Sequence, residues 1–134
     1  MGRKRKPINQ VIRGTVYPFD VMFSFGESDE TLVKRLKRYH VQGEDEVLET
    51  LDENPSVRGR TVMFSSNQVC CRLNFIPETP SEIAMLQHEI FHVVEFLFRQ
   101  IGMPLDDSSS EAYAYLIGFY TQEAHRLLKT NQLK

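Results

Sequence analysis

The stretch from Ile83 to Ile101 constrains this chain more than any other. Its apolar residues Ile83, Leu86, Ile90, Val93, Val94, Leu97 and Ile101 recur with the period of a helix. Thr79, Pro80 and Glu82 stand where such a helix begins, as N-cap, first-turn proline and capping-box partner. Gly102 and Pro104 stand where it ends. Inside it lies His88-Glu89-Ile90-Phe91-His92. Residues four apart share a helix face, so the two imidazoles point the same way, one turn apart. That arrangement suits one zinc ion held at about 2.0–2.1 Å per Zn–N bond. Glu89 lies roughly a third of a turn round from His88, where it reaches a water on the metal rather than the metal. Two histidines merely packed in a helix would leave unexplained the carboxylate between them, because an unpaired inward charge is costly.

A zinc site needs a third protein ligand and an open position. Glu111 is the candidate, separated from His92 by eighteen residues and at the start of Glu111-Ala112-Tyr113-Ala114-Tyr115. A helix, a turn and a returning helix can bring it back. A second reading is open: Ser108-Ser109-Ser110-Glu111 is itself a capping box, in which Glu111 serves only its own helix. Glu123 is the reserve ligand if the helical hairpin is tight. Tyr115, one turn after Glu111, either donates to an oxyanion or packs. Asp106 and Asp107 either support a histidine N–H or make the turn. His125 is about 21 Å along the helix from Glu111 and cannot share its site; His40 sits near a helix end. Cys70 and Cys71 are vicinal. On a strand they point to opposite faces, which argues against a bridge and for packing.

The rest of the chain reads as support for that helix. Val11–Phe25 is rich in β-branched and aromatic residues, and the alternation Phe19, Val21, Phe23, Phe25 predicts a strand with one buried face. Ser28, with Asp29 and Glu30, opens a helix whose stripe is Leu32, Val33, Leu36 and Tyr39 and whose wet face is Lys34, Arg35, Lys37 and Arg38. Asp45–Leu51 suggests a short helix. Arg60–Ser65 and Gln68–Ile76 predict a hairpin around Ser66-Asn67. The last helix is expected from Ser109 to Lys129 with the stripe Ala112, Leu116, Phe119, Ala124 and Leu127.

With 134 residues, 41% hydrophobic content and a net charge of −2, the chain has the makings of one ordinary domain. That balance gives no electrostatic reason to expect nucleic acid or a membrane surface. Residues 1–10, with the basic run Arg3-Lys4-Arg5-Lys6, are expected to be a flexible tail; the domain is expected to span 11–134. No signal-peptide core or bilayer-spanning stretch is visible. The expectation is a soluble protein, intracellular where it is made.

His88-Glu89-x-x-His92, eighteen residues and then Glu111 is similar to the pattern of the gluzincin metallopeptidases. Their aminopeptidase branch uses that interval and thermolysin-like enzymes a similar one. Two strands, an H-E-x-x-H helix and a glutamate helix resemble the minimal zincin core. More closely, Ile76 to Leu116 resembles a group of small bacteriophage proteins. They share a proline-containing lead-in, H-E-x-x-H, a Gly-hydrophobic-Pro-Leu turn and E-A-Y-A-Y-L. Here these are Pro77-Glu78-Thr79-Pro80, His88–His92, Gly102-Met103-Pro104-Leu105 and Glu111–Leu116.

The resemblance implies an α+β, minimal zincin-like domain, with a small sheet packed on two long helices that carry the site. It implies zinc (Zn2+) as the cofactor, His88, His92 and Glu111 as ligands, Glu89 as general base, and hydrolysis of a peptide bond. A protein or peptide substrate, held extended by strand addition within Gln68–Ile76, is the expected partner. The expected location is the host cytoplasm, with the virion as a further place. The alternative is a phage structural or host-interaction protein that keeps the fold without proteolysis.

Overall fold

The computed structural model describes residues 5–14, 17–39, 51, 57–64 and 67–132. Their order is β1 (Ile8–Ile12), β2 (Asp20–Phe25), α1 (Asp29–Arg38), β3 (Gly59–Phe64), β4 (Gln68–Leu73), α2 (Pro80–Gln100) and α3 (Ser110–Gln132). The strands form one mixed sheet in the order β1-β2-β4-β3. β1 runs antiparallel to β2, β2 parallel to β4, and β3 antiparallel to β4. This is an α+β architecture.

Side chains alternate across a strand, and here both faces are covered. Val21, Phe23 and Phe25 of β2, with Val69, Cys71 and Leu73 of β4, pack under α2 and α3. Met22, Val62, Phe64 and Cys70 pack on the other face against Leu32 and Leu36 of α1. The molecule is therefore three layers, where the sequence suggested a sheet with one buried face. The vicinal cysteines divide between the layers as their alternation predicts; both are buried and free. Burial pushes the Cys70 thiol up to about 12, and Cys71 well above its usual value.

Each helix is begun and ended by identifiable residues. Thr79 accepts from the Glu82 amide at 3.2 Å, and Glu82 accepts from the Thr79 amide at 3.0 Å, the expected capping box of α2. At the other end Gly102 has φ +73°, its amide bonds Arg99 O, and the Met103 amide bonds Phe98 O at 2.8 Å. This double bond pattern closes the helix on a left-handed residue, which glycine adopts without strain. Ser28 caps α1 through the Thr31 amide.

Several expectations change. The tail read over 1–10 ends earlier: Ile8, Asn9 and Gln10 belong to β1, and Ile8 is in the core. The reason is pairing with β2, which gives a short polar-apolar segment a ladder it could not form alone. Arg5 is also fixed, to Glu78 and to Leu128 O. The 11–25 stretch divides into two strands. Tyr39 is the C-cap of α1 and exposed rather than part of its stripe. Arg35, placed on the wet face, turns to the buried Glu27 carboxylate, which also accepts from Asn9 and Ser24. On α3 the buried seam is Tyr113, Tyr120, Ala124, Leu127 and Leu128, and Phe119 is exposed. Tyr113 fits the seam because its hydroxyl donates to a part-buried partner, Met103 O, at 2.8 Å. The helix expected over Asp45–Leu51 falls, except for Leu51, outside the described residues.

Candidate metal centre

The two histidines of α2 meet as their spacing requires. His88 Nε2 and His92 Nε2 are 3.2 Å apart. Two Zn–N bonds of about 2.0–2.1 Å meeting near the tetrahedral angle separate their nitrogens by about 3.3–3.4 Å. The pair thus fits two adjacent ligand positions of one ion with little adjustment. Both rings lie on the outward side of α2, with side chains 67% and 37% exposed.

Glu89 sits between that pair and the sheet. It is 9% exposed. Its Oε1 accepts from Thr61 Oγ1 at 2.7 Å, and the same hydroxyl lies 3.1 Å from the Glu89 carbonyl. Its Oε2 lies 4.0 Å from His88 Nε2. One carboxylate oxygen is thus anchored on β3 and the other faces the imidazoles. Gly59 lies beside this carboxylate: a Cβ there would stand in ordinary contact with Glu89 Cγ, at 3.4 Å, and would crowd Leu73 Cδ2 at 2.8 Å. The sequence reading missed Thr61 and Gly59, since nothing local links β3 to α2 across 28 residues. It also missed Glu95, whose Oε1 is 3.2 Å from His92 Nδ1. The signal for Glu95 was present, as an acid three residues after a candidate ligand on the same helix.

Glu111 is not brought to this cluster. Among the described residues no group of three His, Cys, Asp or Glu side chains gathers at metal-binding distance. The helix pairing explains why. Tyr113 packs on Phe98 with the rings tilted and Gln87 bonds Thr121, so α2 and α3 run antiparallel. Glu111 is then level with the last turn of α2, about 8–12 Å along the axis past His92. It lies two residues before the buried Tyr113 and is exposed. The capping box proposed for it does not form either. The Ser108 hydroxyl bonds Asp106 Oδ1 at 2.7 Å, and Asp106 also accepts from the Ser108 and Ser109 amides. Those bonds, the Ser108 hydroxyl first, hold the Asp106 carboxyl below its usual range. Asp106 therefore makes the turn.

The remaining candidates lie elsewhere. Glu123 pairs with Arg126 on its own helix. Tyr115 is exposed and lines a recess with Arg13, Tyr17 and Phe119, away from the histidines. His125 is exposed, and His40 is outside the described residues. The strand expected to hold an extended peptide, Gln68–Ile76, is interior: β4 is paired on both sides, by β2 and β3. Among the described residues, the sheet edge beside α2 that no other strand pairs belongs to β3. It borders a groove of about 550 Å³ lined by Thr61, Met63, Phe64, Phe96 and Arg99 among others.

No protein family, curated protein or solved structure matches this chain. Among the described residues, no helix is long and apolar enough to cross a membrane.

Proposed function

We propose that this protein is a zinc-dependent peptidase of the zincin type, with His88 and His92 as ligands and Glu89 as general base. One observation carries the reading: two Nε2 atoms 3.2 Å apart, with a half-anchored carboxylate 4.0 Å from one of them. When bound, zinc supplies Lewis-acid polarisation of water and of a scissile carbonyl. The chain's own residues do the rest. Glu89 Oε2 takes the proton of the attacking water and delivers it to the leaving amine. Thr61 keeps Oε1 occupied, so the carboxylate presents one oxygen in one direction. Among the described residues no strand pairs with the outer edge of β3, which runs beside Glu89, and an extended peptide added there by main-chain hydrogen bonds would pass the pair.

The third ligand in this reading is Glu111, which would have to approach through a shift of the first turn of α3. A second reading is favoured by its distance: an interaction protein that keeps this fold without proteolysis. Metal analysis and cleavage assays separate the two. Protein purified without chelator should carry about one zinc per chain, and His88→Ala or His92→Ala should strip it. Glu111→Gln should weaken zinc binding while Ser108→Ala should not. Glu89→Gln should keep fold and zinc yet lose hydrolysis of unfolded protein substrates, read by mass spectrometry, by about 10²–10⁴ in rate. Stoichiometric zinc in the double histidine variant would end the metal reading. Wild type that holds zinc but cleaves nothing across a host-lysate panel would move the second reading ahead.

A further inference from the structure

We propose that Glu95 is a positioning residue that sets the tautomer and orientation of His92, and so pre-forms the metal pair. The inference rests on the metal reading above. The observation is an asymmetry between the two imidazoles. His92 is held on two sides by its own helix: Nδ1 lies 3.2 Å from Glu95 Oε1, and the ring stacks on Phe96, 6.3 Å between centroids at 27°. Among the described residues His88 makes no hydrogen bond through its Nδ1, and its side chain is 67% exposed. Glu95 is in turn 3.7 Å from Arg99, whose guanidinium lies over the Phe96 ring. Arg99, Glu95 and His92 thus form a chain along one side of α2.

The chemistry follows from what each atom can do. A carboxylate only accepts, so a hydrogen bond to it requires the proton on Nδ1. A neutral imidazole with Nδ1–H has its lone pair on Nε2, the atom that faces His88. Without the acceptor, the proton is free to move to Nε2, where it blocks ligation. Partners of this kind fix ring orientation and raise ligand basicity, and losing one typically costs about 10–100-fold in metal affinity. Glu95 touches neither substrate nor ion; it acts through His92.

Two measurements on the full-length chain test this. The first needs no metal. In chelator-treated protein at about pH 8.5, where an ordinary histidine is neutral, ¹⁵N shifts should report the Nδ1–H tautomer for His92. In Glu95→Ala the Nε2–H form should appear. The second is cobalt(II) titration followed by its visible absorption. Glu95→Ala should bind about 10–100-fold more weakly. Glu95→Gln, whose amide oxygen still accepts but carries no charge, should fall between. Arg99→Ala, which removes the outer ion pair and the cation over Phe96 but leaves Glu95 on His92, should bind within about threefold of wild type. An unchanged His92 tautomer in Glu95→Ala, equal cobalt affinity in that variant, or an equal loss in Arg99→Ala would each overturn the proposal. Wild type that takes up neither cobalt nor zinc would overturn the metal reading itself, whatever the tautomer shows.

Discussion

At the scale of single residues, the site depends on contacts made across layers. Glu89 is a carboxylate at the sheet–helix boundary, and a buried charge is tolerated only where hydrogen bonds replace water. Thr61 is that replacement, at 2.7 Å. Thr61→Val keeps the shape and removes the donor. It should lower the unfolding free energy by about 1.5–3 kcal/mol at neutral pH, as expected for a bond to a charged group. Thr61→Ser should retain most of that stability. Urea titration of the three proteins is the check, and a valine variant as stable as wild type would show that water serves Glu89 instead. This pairing was not legible in the sequence. The shared face of His88 and His92 was, because helical periodicity alone places residues four apart on one side. Thr61 and Glu111 depend on how strand and helices are docked, and residue spacing does not specify the register of α3 on α2.

At the scale of elements, capping residues were the most legible feature of the chain. Thr79, Pro80 and Glu82 at one end of α2, and Gly102 at the other, act as their types predict, because caps satisfy local backbone groups with local side chains. The phase of α3 was less legible, since tyrosine reads as either packing or surface, and only the Met103 carbonyl decides for Tyr113. The α2 cap carries a pH prediction. The Thr79 and Glu78 amides hold the Glu82 carboxyl below its ordinary value of 4.5. A group whose pKa is depressed by folding contributes stability above its unfolded value, and that contribution is lost as pH falls through the folded value. Thermal melts from about pH 6 down to about pH 3 should therefore show a shallower acid decline in Glu82→Gln than in wild type. Parallel declines would mean that the cap does not couple α2 to protonation.

At the scale of the whole molecule, the α+β class was legible from alternating and helical periods, whereas the third layer was not. β2 read as a half-buried strand and β4 as one arm of a hairpin, yet both are interior and covered twice, by α1 on one face and by α2 and α3 on the other. Which strands become interior is a matter of sheet order, and the parallel pairing of β2 with β4 joins segments more than forty residues apart. The start of the chain shows the same limit. A basic run reads as solvated, but Arg5 reaches Glu78 before α2, at 3.1 Å, and Leu128 O near the end of α3, at 2.9 Å. Its side chain is only 15% exposed. Glu78 is well exposed, so the ion pair itself contributes little; the bond from the guanidinium to a main-chain carbonyl is the stronger part. Arg5 thus ties the first residues of the fold to the lead-in of α2 and to α3. Arg5→Ala should destabilise by about 1–2 kcal/mol. Arg5→Lys should recover little of it, because an ammonium lacks the fork that reaches two acceptors at once. Glu78→Ala should be close to neutral. Chemical denaturation of the three variants is the test, and an Arg5→Ala protein as stable as wild type would return this residue to the solvated tail that its sequence suggests.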